Sequence, residues 1–165
     1  MSVKPIKGKT PTPCDALVLF GATGDLAKKK LFPALYNMSL HNALNADVIG
    51  VASTRWDNDQ FRSNAFEAIR ERVPNVDEKV IADLNTKLSL VVGNYEDPQV
   101  YKDLAAKLEG KKKPVIYLAI PPALFEQVTQ GLASVGITNT ARLVVEKPFG
   151  RDLATAQTLQ DSLEA

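Results

Sequence analysis

The sequence predicts one α/β domain built on a doubly wound parallel sheet of five or more strands. Two observations predict it: five short apolar runs alternate with longer amphipathic stretches, and the first run leads directly into a glycine turn. Such alternation is typical of strand-helix units whose parallel strands are covered by helices on both faces. The chain has 165 residues, enough for one full hydrophobic core. We therefore expect a flexible leader, residues 1–13, and a single domain, residues 14–165.

The apolar runs and the stretches between them define the expected elements. The predicted strands are 15–20, 47–52, 88–93, 114–119 and 141–146. The stretches between and after them carry apolar residues at helical spacing. The predicted helices are 24–38, 57–72, 77–86, 97–108, 122–135 and 151–164. Pro33 is expected to kink the first helix because it removes a hydrogen bond.

Composition excludes several classes of partner. The formal net charge is only +1, with charges of both signs mixed along the chain, so no basic surface for nucleic acid or an anionic membrane is expected. Cys14 is the single cysteine, which excludes an internal disulfide framework, and no apolar run has membrane-spanning length. We therefore expect a cytoplasmic protein with a small-molecule partner, and we predict no metal site.

The strongest local signal is the turn after the first strand. Residues 21–27 read Gly-Ala-Thr-Gly-Asp-Leu-Ala. Gly21 allows a tight turn, Gly24 lets the backbone approach a diphosphate, and the small Ala27 lets the following helix pack close to the sheet. The start of that helix offers N–H groups to phosphate oxygens. A purely structural glycine turn is the alternative, but the position after the first strand favours a Rossmann-like dinucleotide site.

The end of the second predicted strand bears on the choice between NADP and NAD. An NAD site usually places a carboxylate there, on the ribose 2′-hydroxyl. In this chain Ser53, Thr54 and Arg55 follow the strand, and no carboxylate occurs before Asp57. A guanidinium suits a dianionic 2′-phosphate. The sequence therefore favours NADP, with Ser53 and Arg55 as candidate ligands, and a solvated loop arginine is the alternative for Arg55.

Two more candidates lie at the ends of later strands, at the sheet edge where ligands of open parallel sheets bind. Lys147 precedes Pro148, which would fix its direction, and could hold a substrate oxygen or phosphate; a surface lysine is the alternative. Tyr117 could border the nicotinamide, and an ordinary strand aromatic is its alternative. His41, the only histidine, lies in a predicted surface turn, so we do not expect it to act as a catalytic base.

Three motifs, in this order and at this spacing, resemble the glucose-6-phosphate dehydrogenase family. They are Gly-Ala-Thr-Gly-Asp-Leu-Ala-Lys-Lys-Lys (21–30), Ala-Ile-Pro-Pro (119–122) and Val-Glu-Lys-Pro-Phe-Gly-Arg-Asp-Leu (145–153). The resemblance runs from about Asp15 to Ala165. It implies oxidation of glucose 6-phosphate to 6-phosphogluconolactone with NADP, in the pentose phosphate pathway, by a protein that is a homo-oligomer at full length.

The resemblance also implies site residues and two departures. Lys147 would contact both substrate and cofactor. The family's arginine for the 2′-phosphate aligns with Ser53, so Arg55 would have to reach in, which leaves dual use of NADP and NAD open. The family's Arg-Ile-Asp-His-Tyr-Leu-Gly segment, which supplies the base, is expected beyond residue 165, so this chain alone is expected to be inactive. The residues implied for the diphosphate are Gly21, Ala22, Thr23, Gly24, Asp25, Leu26, Ala27 and Lys28.

Three alternatives differ from this interpretation in observable features. Other sugar dehydrogenases carry Glu-Lys-Pro after a strand, but they normally open with Gly-x-Gly-x-x-Gly. Short-chain reductases often open with Gly-Ala-Thr-Gly, but active members use Tyr-x-x-x-Lys, and no tyrosine of this chain has a lysine four residues later. A free-standing NADP-binding or sensing module would also fit a chain without a general base.

Overall fold

A computed structural model describes residues 14–145 as a five-stranded parallel sheet with helices on both faces. The strands are β1 (Ala16–Phe20), β2 (Asp47–Ala52), β3 (Leu88–Val92), β4 (Pro114–Leu118) and β5 (Arg142–Val145). They lie in the order β3-β2-β1-β4-β5, and each neighbouring pair is parallel. The predicted fold class is therefore confirmed, and each predicted strand boundary agrees to within one residue. The predicted leader, the predicted helix 151–164 and Lys147 lie outside the described residues.

Within residues 14–145, five α-helices connect these strands. They are α1 (Phe32–Leu40), α2 (Asn58–Arg72), α3 (Glu78–Lys87), α4 (Pro98–Lys107) and α5 (Phe125–Ser134), with short 3-10 turns at Pro122–Leu124 and Ile137–Asn139. Side chains of α1, α2 and α3 pack on one face of the sheet, and those of α4 and α5 pack on the other. No helix in the part of the chain described here has the length and apolar character needed to cross a membrane.

The helix that follows β1 widens just before Pro33. Residues Ala27–Leu31 form a π-helical turn, in which the Phe32 N–H donates to the Ala27 carbonyl five residues back. In a regular helix a proline ring collides with the carbonyl four residues earlier, and a wider turn relieves that collision. The disturbance expected at Pro33 thus takes the form of a π turn, which overlaps the candidate phosphate-binding segment at Ala27 and Lys28.

The central strand explains where a ligand would bind. All five residues of β1 are fully buried, as expected for a strand covered on both faces. Leu17 and Leu19 face α1 to α3, whereas Val18 and Phe20 face α4 and α5. In the sheet, β2 and β3 lie on one side of β1, and β4, which follows β3 in the chain, lies on the other side of β1. The carboxyl ends of β1 and β4 therefore form the switch point at which open parallel sheets bind ligands.

Candidate cofactor-binding site

Gly21 turns the chain out of β1 in a conformation that favours glycine. Its φ is +80°, and a Cβ built on it would lie 2.2 Å from the carbonyl oxygen of Ala119, just beyond β4. Its N–H donates to the Val51 carbonyl oxygen at 3.0 Å, and its own carbonyl accepts the Gly24 N–H at 3.0 Å. Gly21 therefore shapes the turn, while its amide is engaged inside the protein.

Gly24 presents bare backbone at the start of the next helix. It is exposed, and apart from its chain neighbours a Cβ built there would meet only the Gly21 carbonyl oxygen, at 3.3 Å. The Lys28 N–H donates to the Gly24 carbonyl at 3.2 Å. The amides of residues 25–27 precede this bond, in the first turn, where N–H groups have no intrahelical acceptor. Such amides can donate to phosphate oxygens.

Small residues hold this turn close to the sheet. Ala22 and Ala27 are both buried. A Cβ built on Gly50 of β2 would lie 2.8 Å from the Ala22 Cβ, so the turn and β2 are in direct contact. The two alanines therefore pack under the turn, and its more accessible residues lie above them. These are Asp25, which is exposed, and Thr23, Leu26 and Lys28, which are half-buried.

A pair of hydroxyl groups joins the glycine turn to the end of β2. The Oγ1 atoms of Thr23 and Thr54 are 2.8 Å apart, and both residues are half-buried. Ser53 and Arg55, on either side of Thr54, are exposed. The structure thus brings the candidate 2′-phosphate ligands next to the glycine turn. Sequence reasoning did not select Thr54, whose only signal was its place between two selected residues.

Asp57, the first carboxylate after β2, caps a helix. Its side chain accepts the Gln60 N–H at 2.8 Å, and the Gln60 side chain accepts the Asp57 N–H at 3.0 Å. This reciprocal pair is a capping box at the start of α2. The Asp57 carboxylate is therefore engaged at the N-terminus of α2. The residues between the end of β2 and Asp57 include no other carboxylate that could bind a ribose 2′-hydroxyl.

The opposite wall of the crevice comes from the segment after β4. The Ala119 N–H donates to the Phe20 carbonyl at 3.0 Å, and a Cβ built on Gly21 would lie 3.2 Å from Cγ2 of Ile120. Tyr117 lies within β4, before this segment. It pairs with Leu19 across the sheet and is fully buried in the same layer, beneath α1 to α3. This burial favours its alternative interpretation, an ordinary strand aromatic, and its place beside the nicotinamide stays a prediction.

Tyr95, in the loop between β3 and α4, contacts the turn although sequence reasoning did not select it. Its hydroxyl oxygen accepts the Gly21 N–H at 3.0 Å. Burial raises the pKa of the Tyr95 hydroxyl, against a smaller lowering by the Gly21 hydrogen bond. The group therefore stays protonated at neutral pH. An aromatic residue in a polar loop was its only sequence signal.

The only histidine lies away from the glycine turn. His41 is exposed just after α1, and its Nδ1 atom lies 2.8 Å from the Asn37 carbonyl oxygen. This exposed position is the surface turn expected from the sequence, and the absence of a catalytic role for His41 stays a prediction. Within residues 14–145, no group of three or more His, Cys, Asp or Glu side chains is placed to hold a metal ion.

Comparison with known proteins identifies a family. Residues 18–165 match the family described as glucose-6-phosphate dehydrogenase, NAD binding domain. Glucose-6-phosphate 1-dehydrogenase 1 of Mycobacterium tuberculosis (strain ATCC 25618 / H37Rv) is 42% identical over 151 residues, which cover 92% of this chain and 32% of that protein. Glucose-6-phosphate 1-dehydrogenase of Schizosaccharomyces pombe is 36% identical over 90% of this chain and 32% of its own length.

Solved structures show the same relationship. The crystal structure of glucose-6-phosphate 1-dehydrogenase from Mycobacterium avium superposes with a TM-score of 0.78 at 40% identity, over 92% of this chain and 34% of that one. A glucose-6-phosphate dehydrogenase in complex with its substrate glucose-6-phosphate gives 0.72 at 29% identity, with the same coverage. This chain spans about a third of the length of the curated relatives it matches. It belongs to the glucose-6-phosphate dehydrogenase family and comprises the family's nicotinamide-dinucleotide-binding domain.

Proposed function

We propose that this chain binds NADP at the glycine turn and is the cofactor domain of a protein that oxidises glucose 6-phosphate to 6-phosphogluconolactone. The observation that carries the proposal is the turn itself: Gly21 is held against Ala119, and Gly24 leaves open space above the first helical amides. The names of the relatives support the reaction. One of the similar structures contains glucose 6-phosphate, which supports the substrate.

The described residues suit a dinucleotide. When bound, NADP would supply the nicotinamide that accepts the hydride from C1 of the sugar. The amides of residues 25–27 would donate to the diphosphate, and the partial positive charge at a helix N-terminus favours its negative charge. Gly24 would keep the approach to these amides clear. Lys147 is proposed to contact substrate and cofactor, as the family resemblance implies.

Selection of NADP over NAD is proposed to depend on the residues that follow β2. Arg55 is exposed there, beside the Thr23 and Thr54 hydroxyl pair. The Asp57 carboxylate accepts the backbone N–H of Gln60, which holds it as the cap at the start of α2. Arg55, Ser53 and Thr54 would then bind the 2′-phosphate, and NAD would bind more weakly.

Removal of Arg55 is expected to weaken binding of NADP but not of NAD. Arg55→Ala removes a hydrogen bond to a charged group, about 1.5–3 kcal/mol, which corresponds to about 10- to 100-fold in Kd. Calorimetric titration of the wild type and the variant with both cofactors measures the effect. Arg70→Ala is the matched control, since Arg70 is an exposed arginine of α2 that pairs with Glu78 at 2.9 Å. Equal affinities of the wild type for NADP and NAD would refute the 2′-phosphate assignment.

The reaction itself calls for a comparison between this chain and the whole protein. The whole protein is expected to reduce NADP when glucose 6-phosphate is added, whereas the 165-residue chain should bind NADP without reducing it. The reason is that the described residues place no histidine at the crevice, and a base must lie within hydrogen-bond reach of the hydroxyl it deprotonates. Absorbance of the reduced nicotinamide measures turnover. Turnover by this chain alone would contradict the expectation, and none by the whole protein would contradict the proposed activity.

A cytoplasmic location, expected from the composition, and a homo-oligomeric full-length protein, implied by the family resemblance, remain predictions.

A further inference from the structure

Tyr95 meets the glycine turn at its first residue. The Gly21 N–H donates both to the Val51 carbonyl oxygen and to the Tyr95 hydroxyl oxygen, each at 3.0 Å. The Tyr95 hydroxyl in turn donates toward the Val51 carbonyl oxygen at 3.4 Å. The three groups form a closed triangle. It joins the end of β1, the end of β2 and the loop before α4.

The Tyr95 side chain is itself held in place from the other side. Its ring packs on that of Phe20, with 5.7 Å between ring centroids. The backbone carbonyl oxygen of Tyr95 accepts a hydrogen bond from the Tyr101 hydroxyl at 2.7 Å. The Tyr101 ring is in turn pressed against α5, where a Cβ built on Gly131 would lie 2.2 Å from its Cζ atom. The hydroxyl of Tyr95 is thus carried on a ring and a loop that are fixed to two helices.

Glycine has the widest choice of backbone conformations, so contacts must fix the orientation of Gly21. Ala119 limits it on one side, and the triangle with Tyr95 limits it on the other. We propose that the Tyr95 hydroxyl is a positioning group for the cofactor: by restraining Gly21, it keeps the amides of residues 25–27 directed at the diphosphate. The hydroxyl acts through the turn and touches no phosphate. This inference rests on the proposed function.

Tyr95→Phe tests the proposal because it keeps the ring and removes only the hydroxyl. In the 165-residue chain, Kd for NADP and for ADP is expected to rise about 3- to 10-fold, the usual effect of one net hydrogen bond. Both ligands contain a diphosphate. The affinity for 2′-AMP, which has the 2′-phosphate but no diphosphate, should not change. Calorimetry measures the first two ligands, and an NMR titration measures the third.

Tyr36→Phe is the matched control. The Tyr36 hydroxyl accepts the backbone N–H of Asp77 at 2.8 Å, and its ring lies in the layer beneath α1 to α3. The control therefore loses the same kind of bond away from the turn, and it should lower thermal stability comparably without changing any of the three affinities. Wild-type affinity for ADP in Tyr95→Phe, or equal weakening of all three ligands, would overturn the proposal. A wild type that binds neither ADP nor NADP would overturn the proposed function as well.

Discussion

Gly24→Val is expected to abolish cofactor binding while the domain stays folded. The backbone of Gly24 is outside the left-handed region, and a Cβ there has open space beyond the 3.3 Å approach to the Gly21 carbonyl. The chain can therefore accept a side chain, but the valine methyls would fill the space above the helix amides. Loss of two charge-assisted hydrogen bonds, each worth about 1.5–3 kcal/mol, amounts to at least about 100-fold in Kd.

Calorimetry with NADP measures the loss, and circular dichroism with a thermal melt checks the fold. Gly24→Ala is the graded control, since a single methyl group should weaken binding less than valine does. An unchanged NADP affinity in Gly24→Val would show that the diphosphate does not approach this turn, and the assignment of the site would be wrong.

Gly21→Ala, in contrast, is expected to destabilise the fold itself. A φ of +80° costs a residue with a Cβ about 1–2 kcal/mol. The added Cβ would also lie 2.2 Å from the Ala119 carbonyl oxygen, and relief of such overpacking typically costs about 1–3 kcal/mol more. We expect the free energy of unfolding to fall by about 2–5 kcal/mol, with NADP affinity lost as the turn moves. Urea denaturation measures the change in stability.

Gly110→Ala separates the two causes. Gly110 has nearly the same φ, +83°, but a Cβ built on it meets no atom within 4 Å. Only the conformational cost, about 1–2 kcal/mol, should appear, and NADP binding should be unaffected. If Gly21→Ala cost no more than Gly110→Ala, the close approach between the turn and Ala119 would not be the reason that position 21 requires glycine.

Gly21 and Gly24 show how much of this site can be predicted from the sequence. Both were assigned from their spacing after a strand, because the freedom of a glycine backbone is a local property. The residue that excludes a side chain at Gly21 is Ala119, which lies beyond β4. Only the parallel pairing of β1 with β4 brings these two residues together, so their contact could not be read from spacing.

Tyr117 and Tyr95 show what could not be predicted from the sequence. Both are aromatic residues at or near the carboxyl end of a strand, and sequence analysis named Tyr117, but not Tyr95, as a candidate. A strand buried on both faces shows no alternation of polar and apolar residues, so the sequence did not tell which layer Tyr117 enters. The structure buries Tyr117 in the core and places the Tyr95 hydroxyl on the Gly21 amide.

The sequence by itself determined the strands, most of the helices and the segment that forms the glycine turn, since apolar runs and glycine spacing report local burial and local backbone freedom. Tertiary structure alone decided which distant groups meet there: the Thr23 and Thr54 hydroxyls, the Gly21 amide with Tyr95, and the Ala119 carbonyl above Gly21. These contacts depend on strand order and register. Both are set by the packing of the whole domain and leave no periodic trace in the sequence.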